Sequence, residues 1–306
     1  QGQIPLQRLT ADCENRMDEE SVLLRPSPVF SRRYLMRALR RDPDWDADLQ
    51  PIYRNLRALW SRARQHGREW NARRTETALV QPLLTALGWS SVPLSALDPI
   101  ACAPDSTSMQ HILCRDPEAC AALYTHRGSM RSAPGLALAL LQTAPWSGSL
   151  EGYSLSESRW WQNQGGSEYE KVTPSYRIVQ ALTRHGIAWG ILTNGRVWRL
   201  FTRRTNSIVT EFHEVDLGPL FERLSAGREP TPGDWSLFRQ WWMLFRRDAF
   251  VARERGTRFI DQLYESSPAR QQANVLQLRQ RILHEVFPAL VGGFAAYRSR
   301  RLGITT

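Results

Sequence analysis

Two stretches in the first third of the chain place apolar residues at helical spacing. The first predicts a helix over Pro51–Arg64. The second predicts a helix over Thr75–Trp89, with Glu76 on its first turn, where an acid interacts favourably with the helix dipole. Because the ring of Pro82 removes a backbone donor, this second helix is expected to bend or restart there.

Other apolar runs have the length of strands. Leu136–Gln142 is apolar almost throughout, which is typical of a central strand buried on both faces, although its alanine and leucine also suit a short helix. Ala119–Tyr124 is predicted as a shorter strand before it. Ser207–Val215 is predicted as a strand that follows a hairpin.

The hairpin is predicted where Ile187–Thr193 and Val197–Thr202 flank Asn194-Gly195. Both turn residues tolerate positive φ, so a two-residue type I′ turn is expected. The second strand alternates, and therefore presents two sets of side chains to opposite faces of the sheet. One set is Val197, Arg199 and Phe201, and the other is Trp198, Leu200 and Thr202.

Helical spacing returns on both sides of the hairpin and its sheet. Pro174 opens a predicted helix that ends near Arg184. The last third contains an aromatic helix whose stripe is expected to be core. Its members are Trp235, Phe238, Trp241, Trp242, Phe245 and Phe250. A long helix from about Arg270 is predicted to face inward and to end near Gly292-Gly293; its inward residues are Val275, Leu278, Ile282, Val286 and Leu290.

This order of elements predicts an α/β fold, with a mixed sheet flanked by helices and a C-terminal helical subdomain. Three regions are expected. Residues 1–65 form a helical or extended arm, residues 66–228 the α/β domain, and residues 229–306 the helical subdomain. Because the chain begins at Gln1, without methionine, it is expected to be part of a longer protein.

Composition adds a charge argument. The 306 residues include 40 Lys and Arg against 30 Asp and Glu, a net charge of +10. This balance favours a polyanionic partner, with nucleic acid first. Lys171 is the only lysine. Arginine suits bidentate phosphate contacts, but a codon bias toward arginine in a GC-rich genome explains most of this preference.

The four cysteines form no recognisable disulfide framework, and no signal peptide or membrane-spanning run is visible. We therefore expect a reducing, cytoplasmic location and no membrane partner. His111, Cys114 and Cys120 lie close in sequence, but no C-x-x-C pair accompanies them, so no metal site is predicted.

Several short stretches, taken in order, resemble the N-terminal region of type IIG restriction-modification enzymes and related adenine-specific DNA methyltransferases of bacterial defence. The resemblance covers the chain from about Pro28 onward. Its stretches are F-S-R-R-Y-L at Phe30–Leu35, L-L-T-A-L-G-W at Leu83–Trp89, Pro145-Trp146, P-S-Y-R-I at Pro174–Ile178, W-G-I-L-T-N-G-R-V-W-R-L-F at Trp189–Phe201, E-V-D-L at Glu214–Leu217, and the aromatic helix at Phe238–Phe250.

The resemblance implies a restriction-endonuclease-like sheet carrying a nuclease site of the PD-(D/E)xK type. In that site an acid on one strand and a Glu-x-Lys or Asp-x-Lys on the next hold Mg²⁺ and position water at the phosphodiester. A glutamine on the following helix commonly supports the site, and an upstream helix often carries a further acid.

Here the pattern is degenerate. The alignment places Cys120 at the strand acid, Gln142 and Ala144 at the ends of the Glu-x-Lys triplet, and Arg177 at the helix glutamine. Glu76 alone keeps an acid. The methyltransferase motifs N-P-P-Y, D-P-P-Y and F-x-G-x-G do not occur in the chain.

We therefore expect a catalytically degenerate, nuclease-like module that binds DNA or acts as a scaffold in a restriction-modification or anti-phage assembly. No cofactor is expected. The expected partners are double-stranded DNA and other subunits of a defence complex, among them a DNA methyltransferase. The candidate DNA contacts are Arg73, Arg74, Arg177, Arg203 and Arg204.

Two alternatives stay open. One is an active Mg²⁺-dependent endonuclease with relocated ligands, for which the nearby acids are Asp116, Glu118, Glu151 and Glu168. Lys171 does not restore a Glu-x-Lys, since Tyr169 stands two residues before it. The other is a scaffold that docks a protein through the aromatic helical third and binds no DNA.

Overall fold

The computed structural model describes residues 29–98, 109–125, 135–150, 173–205, 211–253, 256–267 and 282–302. In chain order, the helices of these ranges are α1 (Arg32–Leu39), α2 (Gln50–His66), α3 (Ala72–Thr75, Glu76–Val80 and Gln81–Ala86 in succession), α4 (Leu94–Leu97), α5 (Pro117–Thr125), α6 (Pro174–His185), α7 (Gly218–Ser225), α8 (Pro232–Phe245), α9 (Phe259–Glu265) and α10 (Ile282–Val286 continued by Phe287–Leu302). The strands are β1 (Ser90–Pro93), β2 (Met109–Cys114), β3 (Ala137–Thr143), β4 (Trp189–Thr193), β5 (Val197–Thr202) and β6 (Phe212–Asp216).

The strands form one six-stranded mixed sheet in the order β1 to β6. Four of the neighbouring pairs are antiparallel, and β3 and β4 are parallel, with Leu140 opposite Gly190 and Thr143 opposite Thr193. Helix α6 makes the crossover between them, as parallel strands require. The predicted α/β fold with a mixed sheet flanked by helices is confirmed.

Each face of the sheet is covered by its own core. Helices α2, α3, α7, α8 and α9 pack on one face, whereas α5 and α6 pack on the other. The predicted central strand is confirmed, since β3 contributes Leu141 to the first core and Leu140 to the second. The predicted alternation of β5 is also confirmed, because Trp198 and Leu200 lie in the first core and Phe201 in the second.

Helix α3 restarts near Pro82, as predicted. Its middle segment, Glu76–Val80, is a π-helical turn, and the N–H of Gln81 donates to the carbonyl of Glu76. The α-helical segment that follows places Pro82 in its first turn, where the missing donor costs little. The widened turn carries Glu76 on its buried side.

Two local predictions are wrong. Ala119–Tyr124 is part of helix α5 and not a strand, because Pro117 suits a first turn and Asp116 Oδ1 accepts a bond from the N–H of Ala119 at 2.7 Å. The hairpin turn is not type I′. Of its residues Gly195 alone has positive φ, +85°. Asn194 closes a longer turn, because its Oδ1 accepts bonds from the backbone N–H groups of Arg196 and Val197.

The C-terminal third also departs from prediction. The aromatic stripe is core, as expected, with Phe238, Trp241 and Phe245 fully buried. Helix α10, by contrast, exposes its apolar residues. Leu290, which was predicted to face inward, is 62% exposed, and the helix continues past Gly292-Gly293 because neither glycine adopts the positive φ that ends a helix. Val275, Leu278 and residues 207–210 of the predicted third strand lie outside the described residues.

Gly195 is the glycine that the hairpin requires. A Cβ there would lie 2.3 Å from Leu79 Cδ2, and its φ is left-handed. We expect Gly195→Ala to lower the free energy of unfolding by about 2 to 4 kcal/mol, from strain and overpacking together. Gly227 has φ +71° with open space around it. Gly227→Ala is therefore the control, and urea titration should give a loss of about 1 kcal/mol. Equal losses would contradict the steric argument.

His213 on β6 gives the fold a pH dependence. Burial lowers its pKa from 6.5 to about 4, and Gln240 Nε2 donates to its Nε2 at 2.9 Å. Between these values the unfolded chain binds a proton that the native chain does not, so stability falls as pH falls, by up to about 3 kcal/mol. His213→Leu should remove this part of the slope in urea titrations across that range, and an unchanged slope would refute the assignment.

Candidate nucleic-acid interface

The parallel pair β3–β4 creates a common edge where both strands end. Helix α6 begins at the same edge. Gln142 Nε2 donates to the carbonyl of Pro174 at 3.0 Å, and Arg199 Nη1 donates to Ser175 Oγ at 3.2 Å. The edge therefore combines two strand ends with the positive end of a helix dipole, a frequent location of ligand sites in α/β sheets.

An open pocket of about 530 Å³ lies at this edge; we call it the carboxyl-edge pocket. It is lined by Arg68, Trp146, Ser147, Gly148, Ser149, Leu150, Asn194, Arg196, Val197, Arg199 and Glu214. Three of these residues are arginines and one is an acid. The lining is therefore electropositive and suits an anionic ligand.

The three arginines differ in how far their charge is neutralised. The Nε of the buried Arg199 lies 2.6 Å from Glu214 Oε2, so this guanidinium is held in the wall. Arg196 is exposed and reaches Asp216 and Glu222 at 3.8 and 3.7 Å. Arg68 is exposed and, among the described residues, has no carboxylate oxygen within 4.0 Å. Arg68 therefore supplies most of the charge available to a ligand, and Arg196 shares its charge with two carboxylates.

Trp146 connects the pocket to helix α3. Its backbone N–H donates to Thr75 Oγ1 at 2.9 Å, and its indole packs edge-on against Trp60 with centroids 4.7 Å apart. Arg73 and Arg74 precede Thr75 on the same turn, and both are exposed. These two predicted DNA contacts therefore lie on the helical turn that contacts Trp146, although neither of them lines the pocket.

Glu76 and His111 form a buried pair beneath this turn. They are 4% and 5% exposed, and His111 Nε2 lies 2.5 Å from Glu76 Oε1. Gln81 Nε2 donates to the same oxygen at 3.1 Å. Glu76 Oε2, His111 Nδ1 and Thr143 Oγ1 have no hydrogen-bond partner among the described residues. One carboxylate and one imidazole meet here, and the described residues offer no group of three metal-ligating side chains.

The structure does not bring Gln142 and Ala144, the predicted ends of the nuclease triplet, close to Glu76. Gln142 Oε1 accepts a bond from Gln110 Nε2 at 2.9 Å on the α6 face of the sheet. Ala144 belongs to the core on that same face. Glu76 lies on the other face, because alternate strand residues point in opposite directions. The residues of β3 that share its face are Leu141 and Thr143.

Cys120 cannot occupy a strand position, since it lies on α5. It packs with Cys114 in the second core, and burial raises the pKa of both thiols. His111 lies on the opposite face of β2, so the structure does not bring these three residues together. Asp116 starts α5 and its pKa is lowered by the adjacent Arg115 guanidinium; Glu118 is exposed on the same helix.

The remaining predicted DNA contacts lie at two opposite edges of the sheet. Arg177 lies in the first turn of α6, at the pocket edge. Arg203 and Arg204 follow β5, which runs antiparallel to β4 and therefore ends at the opposite edge. Arg204 Nη1 is 3.1 Å from Asp261 Oδ1, whereas Arg203 is exposed. Glu151, Glu168 and Lys171 lie outside the described residues.

Sequence reasoning missed three site residues. His111 was considered only beside Cys114 and Cys120, and its pairing with Glu76 was missed because β2 was not predicted. Arg68 follows the end of α2, and Arg196 follows the hairpin turn. In a sequence, an arginine at such a position indicates only a solvated surface residue, and the fold alone shows that it lies beside a pocket. The apolar run Ile112–Leu113 was the available signal for β2.

The buried pair gives a stability prediction. Glu76→Leu leaves the buried His111 without its partner, and His111→Leu leaves the buried Glu76 carboxylate with Gln81 alone. Each should cost about 2 to 4 kcal/mol of unfolding free energy. The double variant should cost less than their sum by more than about 1 kcal/mol. Pairing His111→Leu with Glu118→Leu, an exposed acid, should be additive. Additivity of the Glu76 pair in urea titrations would show that the contact is energetically neutral.

Comparisons of the chain with protein-family models, with curated proteins and with solved structures gave no match in any of the three. No helix of the described residues has the length and apolar character needed to cross a membrane. The candidate interface therefore stands on the geometry and charge of this chain's own residues.

Proposed function

We propose that the chain is a catalytically degenerate nuclease-like module, of restriction-endonuclease-like fold, that binds duplex DNA at the carboxyl-edge pocket without cleaving it. It works in a cytoplasmic restriction-modification or anti-phage assembly of bacteria, with a DNA methyltransferase among its partners. The proposals of such an assembly and of a methyltransferase partner rest on the sequence resemblance to type IIG enzymes.

The order of elements supports the fold assignment. A helix with a buried acid, Glu76 on α3, precedes two antiparallel strands, β2 and β3, and the crossover helix α6 follows. This is the order in which the resembled nucleases carry their upstream acid, strand acid, Glu-x-Lys strand and supporting helix.

The single observation that carries the proposal is the set of side chains on the strands opposite Glu76. On the strands opposite it stand His111, Leu141 and Thr143, where a Mg²⁺ nuclease needs a second carboxylate and a lysine. Arginines remain at the neighbouring edge of the sheet. This arrangement combines phosphate-binding charge with positions that carry neither a second carboxylate nor a lysine.

We expect the purified chain to bind short duplex DNA and to leave supercoiled plasmid intact in Mg²⁺ or Mn²⁺. Replacing Arg68, Arg73 and Arg74 together by glutamine should flatten the dependence of log K on log salt by about 2 to 3, since each phosphate contact contributes about 0.9. The assays are fluorescence anisotropy across a salt series and plasmid nicking on a gel.

The matched control replaces Arg115, Arg184 and Arg247 by glutamine. It removes the same formal charge, but each of these arginines already has a carboxylate partner. Equal effects of the two triple variants would refute the pocket as the binding site. Cleavage that EDTA and Glu76→Gln both abolish would establish the endonuclease alternative.

A protein-docking scaffold is the second candidate function, and helix α10 is the observation that favours it. This helix exposes large apolar residues along its length, whereas Phe238, Trp241 and Phe245 of the aromatic helix α8 are buried. The exposed residues are Ile282, Leu283, Val286, Phe287, Leu290, Val291, Phe294 and Tyr297. No shift of duplex DNA at low salt would favour docking over DNA binding.

A further inference from the structure

Helix α1 carries a second concentration of positive charge, outside the carboxyl-edge pocket. An open groove of about 740 Å³ runs along it, lined by Arg32, Arg33, Met36, Arg37, Arg40 and Arg41. Arg32, Arg33, Met36 and Arg37 lie on α1, and Arg40 and Arg41 directly follow its last residue, Leu39. All six side chains line the same groove. We call this surface the α1 arginine stripe.

No acid in the described part of the chain neutralises the stripe. All five arginines are exposed, and no carboxylate oxygen of the described residues lies within 4.0 Å of their guanidinium groups. By contrast, ten arginines elsewhere in the described residues have a carboxylate partner within that distance. They are Arg115, Arg184, Arg196, Arg199, Arg204, Arg223, Arg246, Arg247, Arg253 and Arg258.

This concentration of charge works against the helix that carries it. The first turn of α1 has no acid to interact with the helix dipole. Arg33 and Arg37 are like charges at i, i+4 spacing, which destabilises a helix. Burial of Leu35 and Leu39 holds the helix in place instead. A segment that breaks local electrostatic rules in this way is expected where the charge has a function.

We infer that the α1 arginine stripe is a second contact surface for the phosphate backbone of duplex DNA; the choice of DNA as ligand rests on the proposed function. The eight-residue helix is about 12 Å long, and one DNA strand carries a phosphate per about 3.4 Å of axis, so three or four phosphates match the stripe. Arginine also presents a planar fork of donors that fits a phosphate.

A membrane surface is disfavoured by the other face of the helix. Basic amphipathic helices bind bilayers by inserting an apolar face. The apolar face of α1 is already used inside the protein, since Leu35 and Leu39 are 1% and 0% exposed. In addition, Tyr34 Oη donates to the carbonyl of Leu263 at 3.0 Å and fixes α1 against α9. Charge without a free apolar face suits a phosphate backbone.

The test replaces Arg33, Arg37 and Arg41 by glutamine, which keeps helix propensity and removes the charge. On fluorescein-labelled duplex DNA, the slope of log K against log salt should flatten by about 2 to 3. The melting temperature should stay the same or rise, because the repulsion along α1 is relieved. The triple variant of Arg115, Arg184 and Arg247 is the charge-matched control.

The outcomes separate the two proposals. If the α1 variant flattens the slope and the Arg68, Arg73 and Arg74 variant does not, the stripe is a DNA contact and the proposed pocket is wrong. If the α1 variant behaves like the charge-matched control, the inference is overturned even when the pocket variant loses binding. Sedimentation of the wild-type chain, but not of the α1 variant, with phosphatidylserine vesicles would also overturn it.

Discussion

The parallel pairing of β3 with β4 is the constraint that produces the candidate interface. Parallel neighbours require a crossover, and α6 makes it across the second face of the sheet. Because of this, two strands end and one helix begins at the same edge, where Arg199 ties β5 to the start of α6. The remaining pairs of described strands are antiparallel, so none of them brings two strand ends and a helix start to one edge.

The arginines of the described residues differ in whether a carboxylate neutralises them, and the net charge does not show this difference. Arginines from Arg196 onward are largely held by carboxylates, as Arg199 is by Glu214 and Arg246 is by Asp44. The exposed arginines of α1, and those that begin α3, have no such partners among the described residues. The available positive charge is therefore concentrated on the N-terminal helices, and that is where a polyanion would be attracted most strongly.

Local sequence patterns correctly predicted those elements for which the sequence signals agree with one another. The helices α2 and α6, the strands β3 to β5 and the burial of the aromatic stripe followed from periodicity and from proline at a helix start. Prediction failed where the same residues are compatible with two different structures. Ala119–Tyr124 has the composition of either element, and the cap at Asp116 decided for a helix. In α10, an apolar stripe normally indicates burial, yet no described element covers it.

The sequence by itself determined the α/β class, the hairpin, the excess of arginine and the absence of a Glu-x-Lys triplet, because each of these is a property of neighbouring residues. The tertiary structure alone decided which side chains share a face. It separated Glu76 from Gln142, paired Glu76 with His111, and placed Arg68 beside the pocket while it placed Arg204 at the opposite edge. Strand register and face are set by packing between residues distant in sequence, and a single chain's pattern does not encode them.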